Sequence, residues 1–398
     1  MHAILCCESG AGRAHLTALS IAAQALQPGT RCTALLGRRK HEAIIAPWCR
    51  SVHPAPAMRR VATTAPDAAR LLPFASWLCA RGFRDPETLE RRFRWWQEAF
   101  WTLRPTLVVA DFAPTALMAA RSLDLPAVAL GPSFALPPEG AAATTDPDDP
   151  HDRATCALIN RTLGPLGARP IDRMEAVFDC ARRYPRGLHI WDPFHPRPRW
   201  PAISPLPALP PRAGPLHGLG RDRVFAYLST SELNETAILE AFARLARPTR
   251  LVAPGITPEA RARLEANPAL VIERAPLGHA EIAACARIIV CAGQSGISSL
   301  AVLTGVPMLA LPMHQEQANN ARGAAQLDSV RWRDRPGRSA EAILDDIDAL
   351  WSDQEAQTAA RAAADALRPQ YASGARDIFR RELPALIART AQGPSPVP

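Results

Sequence analysis

The sequence lacks long apolar stretches and is almost without lysine. Its 398 residues contain no run of about 18 apolar residues, the length that a membrane-spanning helix needs. The first residues have neither a basic start nor a small-residue cleavage site, so no secretory signal is predicted. With 47% apolar and 21% charged residues, the composition is that of a soluble globular protein. With no membrane span or signal predicted, we expect a cytoplasmic location.

Metal-binding and disulfide-forming cysteine patterns are also missing. The nine cysteines are an odd number, they are scattered, and none forms a CxxC pair. Vicinal cysteines such as Cys6 and Cys7 seldom bridge without strain. The sequence therefore predicts neither a disulfide framework nor a zinc site, and a reducing compartment is the simplest interpretation.

The formal net charge of +8 would suggest a nucleic-acid partner, but the pattern of charge does not. Lys40 is the single lysine among 46 basic residues, and the arginines are dispersed without an aromatic-basic stripe. We therefore expect no nucleic-acid binding, and an anionic small substrate as the partner for this charge.

What the sequence does contain is two series of alternating strands and helices. Strand-like runs are predicted at 3–7, 32–36, 107–110, 127–130, 224–228, 251–253, 288–291 and 308–311. Helical patterns are predicted at 16–26, 114–123, 237–246, 298–303 and 373–389. This βαβ rhythm predicts an α/β protein with parallel sheets.

A proline-rich segment separates the two series. It spans 193–220 and is too rich in proline for a helix or a central strand, so it is predicted to be a stiff linker. The predicted organisation is a domain at 1–192, the linker at 193–220, a second domain at 221–372, a C-terminal helix at 373–390 and a disordered tail at 391–398.

Two candidate residues lie at predicted carboxyl ends of strands in the first half. His15 follows the first strand and begins a helix, and Asp111 directly follows the buried run 107–110. A carboxylate there can orient an imidazole that acts as a base. Capping or packing explains each residue equally well when taken alone.

A dinucleotide site is a weaker alternative for the same loop. Gly10-x-Gly12 follows the first strand, and Arg38 and Arg39 follow the second, as a 2′-phosphate site would require. His15 occupies the position of the third glycine, so the match is incomplete.

The loop after strand 288–291 has the features of a phosphate site. Its glycines and hydroxyl groups precede a predicted helix, whose free N–H groups attract anions. It is neither a Walker loop, because no Gly-Lys-Ser/Thr follows, nor a nucleophile elbow, because Ile297 replaces the second glycine. The residues are Gly293, Gln294, Ser295, Gly296 and Ser298.

The next strand is followed by Glu316 and Gln317, a carboxylate and an amide that suit sugar hydroxyls or simply a polar helix start.

Two Asp-x-Asp segments, 146–148 and 346–348, match a metal motif by spacing only. The first lies in a Thr/Asp/Pro loop, and the second lies on a helical pattern where i and i+2 do not face each other. Both are predicted to be solvated charge clusters.

Segments in both halves of the sequence resemble GT-B glycosyltransferases of the family that includes plant secondary-product and bacterial antibiotic enzymes. The third loop and the frame Gly305-Val306-Pro307, Leu311-Pro312, Glu316-Gln317 and Asn320-Ala321 resemble its C-terminal signature. "RAHLTALSIAAQAL" and "RPTLVVADFAPTALMAARSLDLPAVALG" are similar to its base-bearing and acid-bearing segments, and "GFRDPETLERRF" and "RVFAYLS" resemble a bacterial branch.

The resemblance implies two Rossmann-like domains whose parallel sheets face each other across a cleft, the first binding the acceptor and the second the nucleotide sugar. It implies a C-terminal helix that packs on the first domain. It also implies an inverting, metal-independent transfer from a UDP- or dTDP-sugar, with no cofactor, in which His15 is the base and Asp111 its partner.

Binding roles follow from the same resemblance. The segment 293–298 would hold the donor phosphates. Glu316 and Gln317 would hold the sugar, and Arg274 would contact the nucleobase of the donor. Phe74, Trp77 and Phe134 would meet a small-molecule or lipid-like acceptor, although most such aromatic side chains are core residues.

Two departures keep alternatives open. The family usually has His where Ala292 stands and often Glu where Leu300 stands. A GT-B nucleotide-sugar epimerase or a non-catalytic sugar-nucleotide binder is therefore the runner-up, and an NADP-dependent oxidoreductase is a distant third.

Overall fold

The computed structural model describes residues 1–9, 13–59, 73–141, 150–213 and 221–391. The chain divides into two compact units. The first comprises Met1–Arg186, Asp192–Ile203 and Ala375–Pro398, and the second comprises Gly187–Trp191 and Ser204–Gly374. Each unit has its own six-stranded sheet, and all recorded strand pairs are parallel.

The first unit alternates strands and helices along most of its length. Its elements are β1 (His2–Cys7), α1 (Arg13–Leu26), β2 (Arg31–Leu36), β3 (Ser51–Pro54), α2 (Pro73–Leu78), α3 (Pro86–Leu103), β4 (Leu107–Asp111), α4 (Pro114–Ser122), β5 (Ala127–Pro132), α5 (Pro150–Leu163) and β6 (Arg182–Arg186). The strand order is β3-β2-β1-β4-β5-β6.

Alternating side chains on these strands fill two core layers. On β1, Ile4 and Cys6 join the cluster that contains Phe93 and Trp96, whereas Ala3, Leu5 and Cys7 join the opposite cluster. Because both faces of the sheet are covered, its central strands β1, β4 and β5 are largely apolar, and the sequence therefore shows them as short continuous apolar runs.

The second unit repeats this pattern. Its elements are β7 (Arg223–Tyr227), α6 (Thr230–Leu233), α7 (Thr236–Arg244), β8 (Thr249–Val252), α8 (Pro258–Glu265), β9 (Leu270–Ile272), α9 (His279–Cys285), β10 (Ala286–Cys291), α10 (Ser295–Thr304), β11 (Met308–Ala310), α11 (Gln315–Ala324), β12 (Val330–Trp332), α12 (Ala340–Ser352) and α13 (Gln354–Leu367). The strand order is β12-β11-β10-β7-β8-β9.

The last helix, α14 (Ala375–Ala391), belongs to the first unit. Phe379 and Leu383 have no exposed surface and lie in the core cluster that contains Leu16 and Leu19 of α1. The Phe379 ring meets Tyr184 of β6 at a centroid distance of 5.1 Å. The chain thus completes its first core with its final helix.

The predicted linker is shared between the units. Residues 193–203 belong to the first unit and 204–213 to the second, and 214–220 lie outside the described residues. A buried ion pair anchors its first part, since Arg197 Nε lies 2.5 Å from Asp192 Oδ2. Of the predicted tail at 391–398, Ala391 is the last residue of a helix, and 392–398 lie outside the described residues.

The α/β fold class predicted from the sequence is confirmed by the two parallel sheets. No helix in the described part of the chain combines the length and the apolar character that crossing a membrane requires.

A buried carboxylate joins the first strand to a distant helix. Glu8, with no exposed surface, follows β1 and accepts hydrogen bonds from the backbone N–H groups of Thr115 (3.3 Å) and Ala116 (3.0 Å) in the first turn of α4. Burial raises the pKa of Glu8 to about 7, against the opposing effects of Arg92 and of these hydrogen bonds.

We expect Glu8 to make stability depend on pH. Its pKa is higher in the folded chain than the ordinary value of 4.5, so the folded state binds more protons, and this contribution to stability is lost as the pH rises towards about 7. In Glu8→Gln, the fall in the urea midpoint between about pH 5 and about pH 8 should therefore be smaller than in the wild type. The exposed Glu355→Gln is the control, and parallel pH profiles for Glu8→Gln and the wild type would contradict the prediction.

Candidate functional site

The structure brings the two candidate residues of the first half together. Nδ1 of His15 lies 2.5 Å from Oδ1 of Asp111. The His15 side chain is 17% exposed, whereas Asp111 has no exposed surface. Since β1 and β4 are neighbours, the helix start after β1 and the end of β4 meet at one edge of the sheet.

This geometry sets the chemistry of the imidazole. With the proton on Nδ1 donated to the Asp111 carboxylate, Nε2 keeps a lone pair that can accept a proton. A base oriented by a buried carboxylate is a recurring arrangement for removing a proton from a hydroxyl group.

An arginine holds the other oxygen of Asp111. Nη2 of Arg186 donates to Asp111 Oδ2 at 2.7 Å, and the Arg186 side chain is 8% exposed. Arg186 ends β6, which is separated from β4 by β5. His15 and Arg186 thus reach the carboxylate from opposite sides of β4.

Phe112, the residue after Asp111, lies in an unusual backbone conformation. Its φ of 49° is in the left-handed region, which a bulky side chain seldom adopts. Its ring lies 5.7 Å from the His15 ring and 4.1 Å from the Trp77 ring, the latter edge-on. Strain of this kind is held in place by surrounding structure and is common at functional sites.

The three predicted acceptor residues differ in exposure. Phe74 is 1% exposed and lies in the core, so its ring offers no accessible surface. Trp77 and Phe134 are half-buried at the edge of the same cluster. The guanidinium of Arg81 stacks over Trp77 at 3.9 Å.

In the second unit, the predicted phosphate loop forms a tight turn between β10 and α10. Gly293 has a φ of 90°, and a Cβ there would lie 2.7 Å from the carbonyl oxygen of Gln317. Gly293 also accepts a hydrogen bond from Asn320 Nδ2 at 3.0 Å. Only glycine fits this close approach of two backbone segments.

Helix α10 begins at Ser295, three residues before the predicted start. The Ser298 N–H donates to Gln294 O at 3.0 Å, so the N–H groups before it are those without an acceptor inside the helix. The buried hydroxyls of Ser295 and Ser299 have no hydrogen-bond partner among the described residues. Of the two, Ser295 is the first residue of the helix and is half-buried, whereas Ser299 lies a turn further on and has no exposed surface. The backbone N–H groups and the Ser295 hydroxyl are therefore the donors at the helix start, as an anion site requires.

The other members of this loop have turned inwards. Ser298 has no exposed surface, and its hydroxyl lies 3.9 Å from Cys291 Sγ. The Gln294 side chain accepts from the N–H of Ala292 at 3.0 Å. Both residues shape the turn, and the backbone around them presents the donors.

Glu316 and Gln317 lie in the first turn of α11, beside the Gly293 turn. Gln317 is 5% exposed, and its side-chain oxygen accepts from Met313 N at 2.8 Å. Glu316 is half-buried. Between the two, Glu316 is the side chain with room to meet a ligand.

Arg274 lies apart from this turn. It is exposed and follows β9, which is three strands away from β10, or about 14 Å at ordinary strand spacing. Ala292 and Leu300, the two departures from the family pattern, are both buried in the described structure, with 0% and 1% exposure.

The alternative motifs have structural partners elsewhere. Asp346 pairs with Arg333 and Asp348 with Arg247, each at 2.7 Å, on α12. Arg39 pairs with Glu42 at 2.5 Å. Gly10, Gly12 and the segment 146–148 lie outside the described residues. Within the described ranges, no three His, Cys, Asp or Glu side chains form a group that could hold a metal ion.

Sequence reasoning missed Arg186 and Phe112. Arg186 ends the segment Arg182–Arg186, whose three arginines and one proline give no strand pattern. The preference of proline for edge strands is the one signal that this segment carried. Phe112 gave none, because a positive φ at a phenylalanine is imposed by tertiary structure.

Comparisons with known proteins identify the fold. A scan of protein-family models and a search of curated proteins both find no match. Among solved structures, the calicheamicin glycosyltransferase CalG4 is similar with a TM-score of 0.68 at 18% identity, covering 98% of this chain and 99% of that one.

Two further structures are similar over nearly their whole length. The glycosyltransferase VinC in complex with dTDP has a TM-score of 0.65 at 18% identity, covering 98% of this chain and 100% of that one. The spinosyn rhamnosyltransferase SpnG complexed with spinosyn aglycone has a TM-score of 0.64 at 18% identity, with the same coverage. The two parallel sheets and these likenesses together show that the chain adopts the GT-B fold of the antibiotic glycosyltransferases.

Proposed function

We propose that this protein is an inverting glycosyltransferase that moves a sugar from a nucleoside diphosphate sugar to an acceptor hydroxyl. The observation that carries the proposal is the 2.5 Å contact between His15 and Asp111 at the carboxyl ends of parallel strands. The first unit supplies a base, and the second supplies a helix start suited to a diphosphate.

The transfer is a single displacement. Nε2 of His15 takes the proton of the acceptor hydroxyl while the oxygen of that hydroxyl forms a bond to the anomeric carbon of the donor. The bond from that carbon to the phosphate oxygen breaks, and the nucleoside diphosphate leaves with the electron pair. Asp111 stabilises the imidazolium that forms.

The start of α10 would receive the negative charge of the leaving group. The N–H groups of its first turn have no acceptor inside the helix. The hydroxyl of Ser295, its first residue, has no hydrogen-bond partner in the described structure. Fixed dipoles aimed at developing charge can replace a metal ion in this task. Glu316 would accept hydrogen bonds from the sugar, and a UDP- or dTDP-sugar is the proposed co-substrate.

Trp77 and Phe134 would line the acceptor side. Both rings are half-buried, and Trp77 is linked to His15 through the Phe112 ring. Aromatic rings on the side of the base favour an apolar or aromatic acceptor. On the same fold, the spinosyn rhamnosyltransferase SpnG is known in complex with spinosyn aglycone.

Replacing the catalytic base should abolish most of the sugar transfer without lowering the affinity for the nucleotide. His15→Ala should lower kcat by about 10²- to 10⁴-fold, the usual worth of a general base. Asp111→Asn should cost less, because the imidazole survives without its anionic partner. The measurement is the initial rate of nucleoside diphosphate release in the presence of acceptor extracts or model phenols.

The control for these variants is calorimetric. The dissociation constant for UDP or dTDP should stay within about twofold of the wild type, which is a change of under 0.5 kcal/mol. The reason is that His15 would contact the acceptor hydroxyl and not the diphosphate. Wild-type turnover by His15→Ala would sink the proposed role of His15.

The phosphate loop is tested by a pair of glycines. Gly293→Ala forces a side chain into a left-handed backbone and against Gln317 O, so nucleotide affinity should fall about tenfold or more. A Cβ at Gly337, which lies outside the segment 293–298, would meet nothing within 4 Å, so Gly337→Ala should bind like the wild type. Equal affinity of the two variants, measured by calorimetry, would show that the nucleotide binds elsewhere.

Metal dependence is tested separately. EDTA should leave nucleotide affinity and turnover unchanged, because the leaving-group charge is met by α10. Loss of turnover on chelation, restored by Mg²⁺ or Mn²⁺, would replace this mechanism with a metal-assisted one.

A further inference from the structure

The second oxygen of Asp111 has a dedicated partner. Oδ2 accepts from Nη2 of Arg186 at 2.7 Å, while Oδ1 faces Nδ1 of His15 at 2.5 Å. Both oxygens are therefore engaged, each by a different residue. In the described structure Asp111 is the one carboxylate that pairs with Arg186.

The strand register explains how Arg186 reaches Asp111. Leu130 of β5 pairs in register with Asp111 on one side and with Tyr184 of β6 on the other. Arg186 lies two residues beyond Tyr184, so its side chain crosses the end of β5 to reach Asp111. Only a long side chain, such as that of arginine or lysine, could reach Asp111 across two strand spacings, which are about 9.5 Å in all.

The chemistry of the guanidinium decides what the contact does. Arginine has only donors, so Oδ2 must act as an acceptor. The planar guanidinium also fixes the direction of the bond, which limits rotation of the carboxylate about its Cβ–Cγ bond. Oδ1 is thereby held towards His15 as an acceptor, and Nδ1 of the neutral imidazole carries the proton.

We propose that Arg186 is a positioning residue that acts through Asp111 to hold His15 in the Nδ1–H tautomer, with Nε2 free to accept the proton of the acceptor. The inference rests on the proposed function for its kinetic consequence, but its effect on the imidazole is independent of turnover. Arg186 contributes no contact to substrate in this account.

The direct test is the ¹⁵N NMR spectrum of His15, with His15→Ala used for assignment. The wild type should give the nitrogen shifts of an Nδ1–H tautomer. In Arg186→Met, which keeps much of the volume but loses the charge and the donors, the two nitrogen shifts should move towards each other, as in a tautomer mixture. Arg186→Lys keeps the charge without the planar geometry, and its shifts should lie between the two.

Arg183→Met is the matched control. Arg183 lies on the same strand, is 2% exposed and pairs with Asp179 at 2.6 Å, away from His15 and Asp111. Its loss should lower stability in the same way but leave the His15 shifts unchanged. A shift change in both variants, or in neither, would overturn the proposal.

Kinetics separate the inference from the proposed function. In Arg186→Met, kcat should fall by about tenfold to a hundredfold, the usual worth of a residue that orients another, while KM for the nucleotide sugar stays within about twofold. If the tautomer changes in Arg186→Met but no nucleotide sugar is turned over by the wild type, the proposed function fails and the positioning role stands. If transfer is found but Arg186→Met keeps wild-type shifts and kcat, the positioning role fails alone.

A double variant covers the case in which Arg186→Met does not fold because Asp111 is left unpaired. Asp111→Asn/Arg186→Met removes both charges, so no buried ion is without a partner. Since Arg186 acts only through the carboxylate, its loss should cause no further drop in kcat once Asp111 is Asn. A further tenfold drop relative to Asp111→Asn would show that Arg186 contacts the substrate and would overturn the proposal.

Discussion

An ionised carboxylate without exposed surface has to be compensated from within the protein, and Asp111 is in that position at the end of β4. The penalty for burying an ion is several kcal/mol, and it is repaid only when hydrogen bonds satisfy the charge from close range. His15 and Arg186 meet this need from either side, so the pairing that stabilises Asp111 is also the pairing that orients the imidazole.

Parallel topology makes the arrangement possible. In each unit the loops after the strands emerge at one edge of the sheet, so residues far apart in sequence converge there. The Glu8 carboxylate ties the end of β1 to the start of α4, the helix that follows the strand bearing Asp111. In the second unit, the close approach of Gly293 to Gln317 fixes the turn before α10 in a similar way.

Much of this could be predicted from the sequence, because buried parallel strands are short apolar runs and the residues after them are recognisable. The strand that ends at Asp111 and the strand that precedes Gly293 are of that kind, and both were predicted. The edge strand β6 was not, since arginines and a proline conceal it, and Arg186 was lost with it. Side-chain directions were also beyond reach. Ser298 faces Cys291 and Phe74 lies in the core, because packing against neighbouring elements decides which way a residue points.

The central claim is that His15 serves as a base in a single displacement at the anomeric carbon, and the stereochemistry of the product tests it without knowledge of the acceptor. Water can take the acceptor's place, so slow hydrolysis of an α-linked UDP- or dTDP-sugar should release the β-anomer first. ¹H NMR of the anomeric proton, recorded before mutarotation, should show that configuration in the wild type and little release in His15→Ala. Initial release of the α-anomer would contradict the account, because retention requires two displacements or a front-side attack.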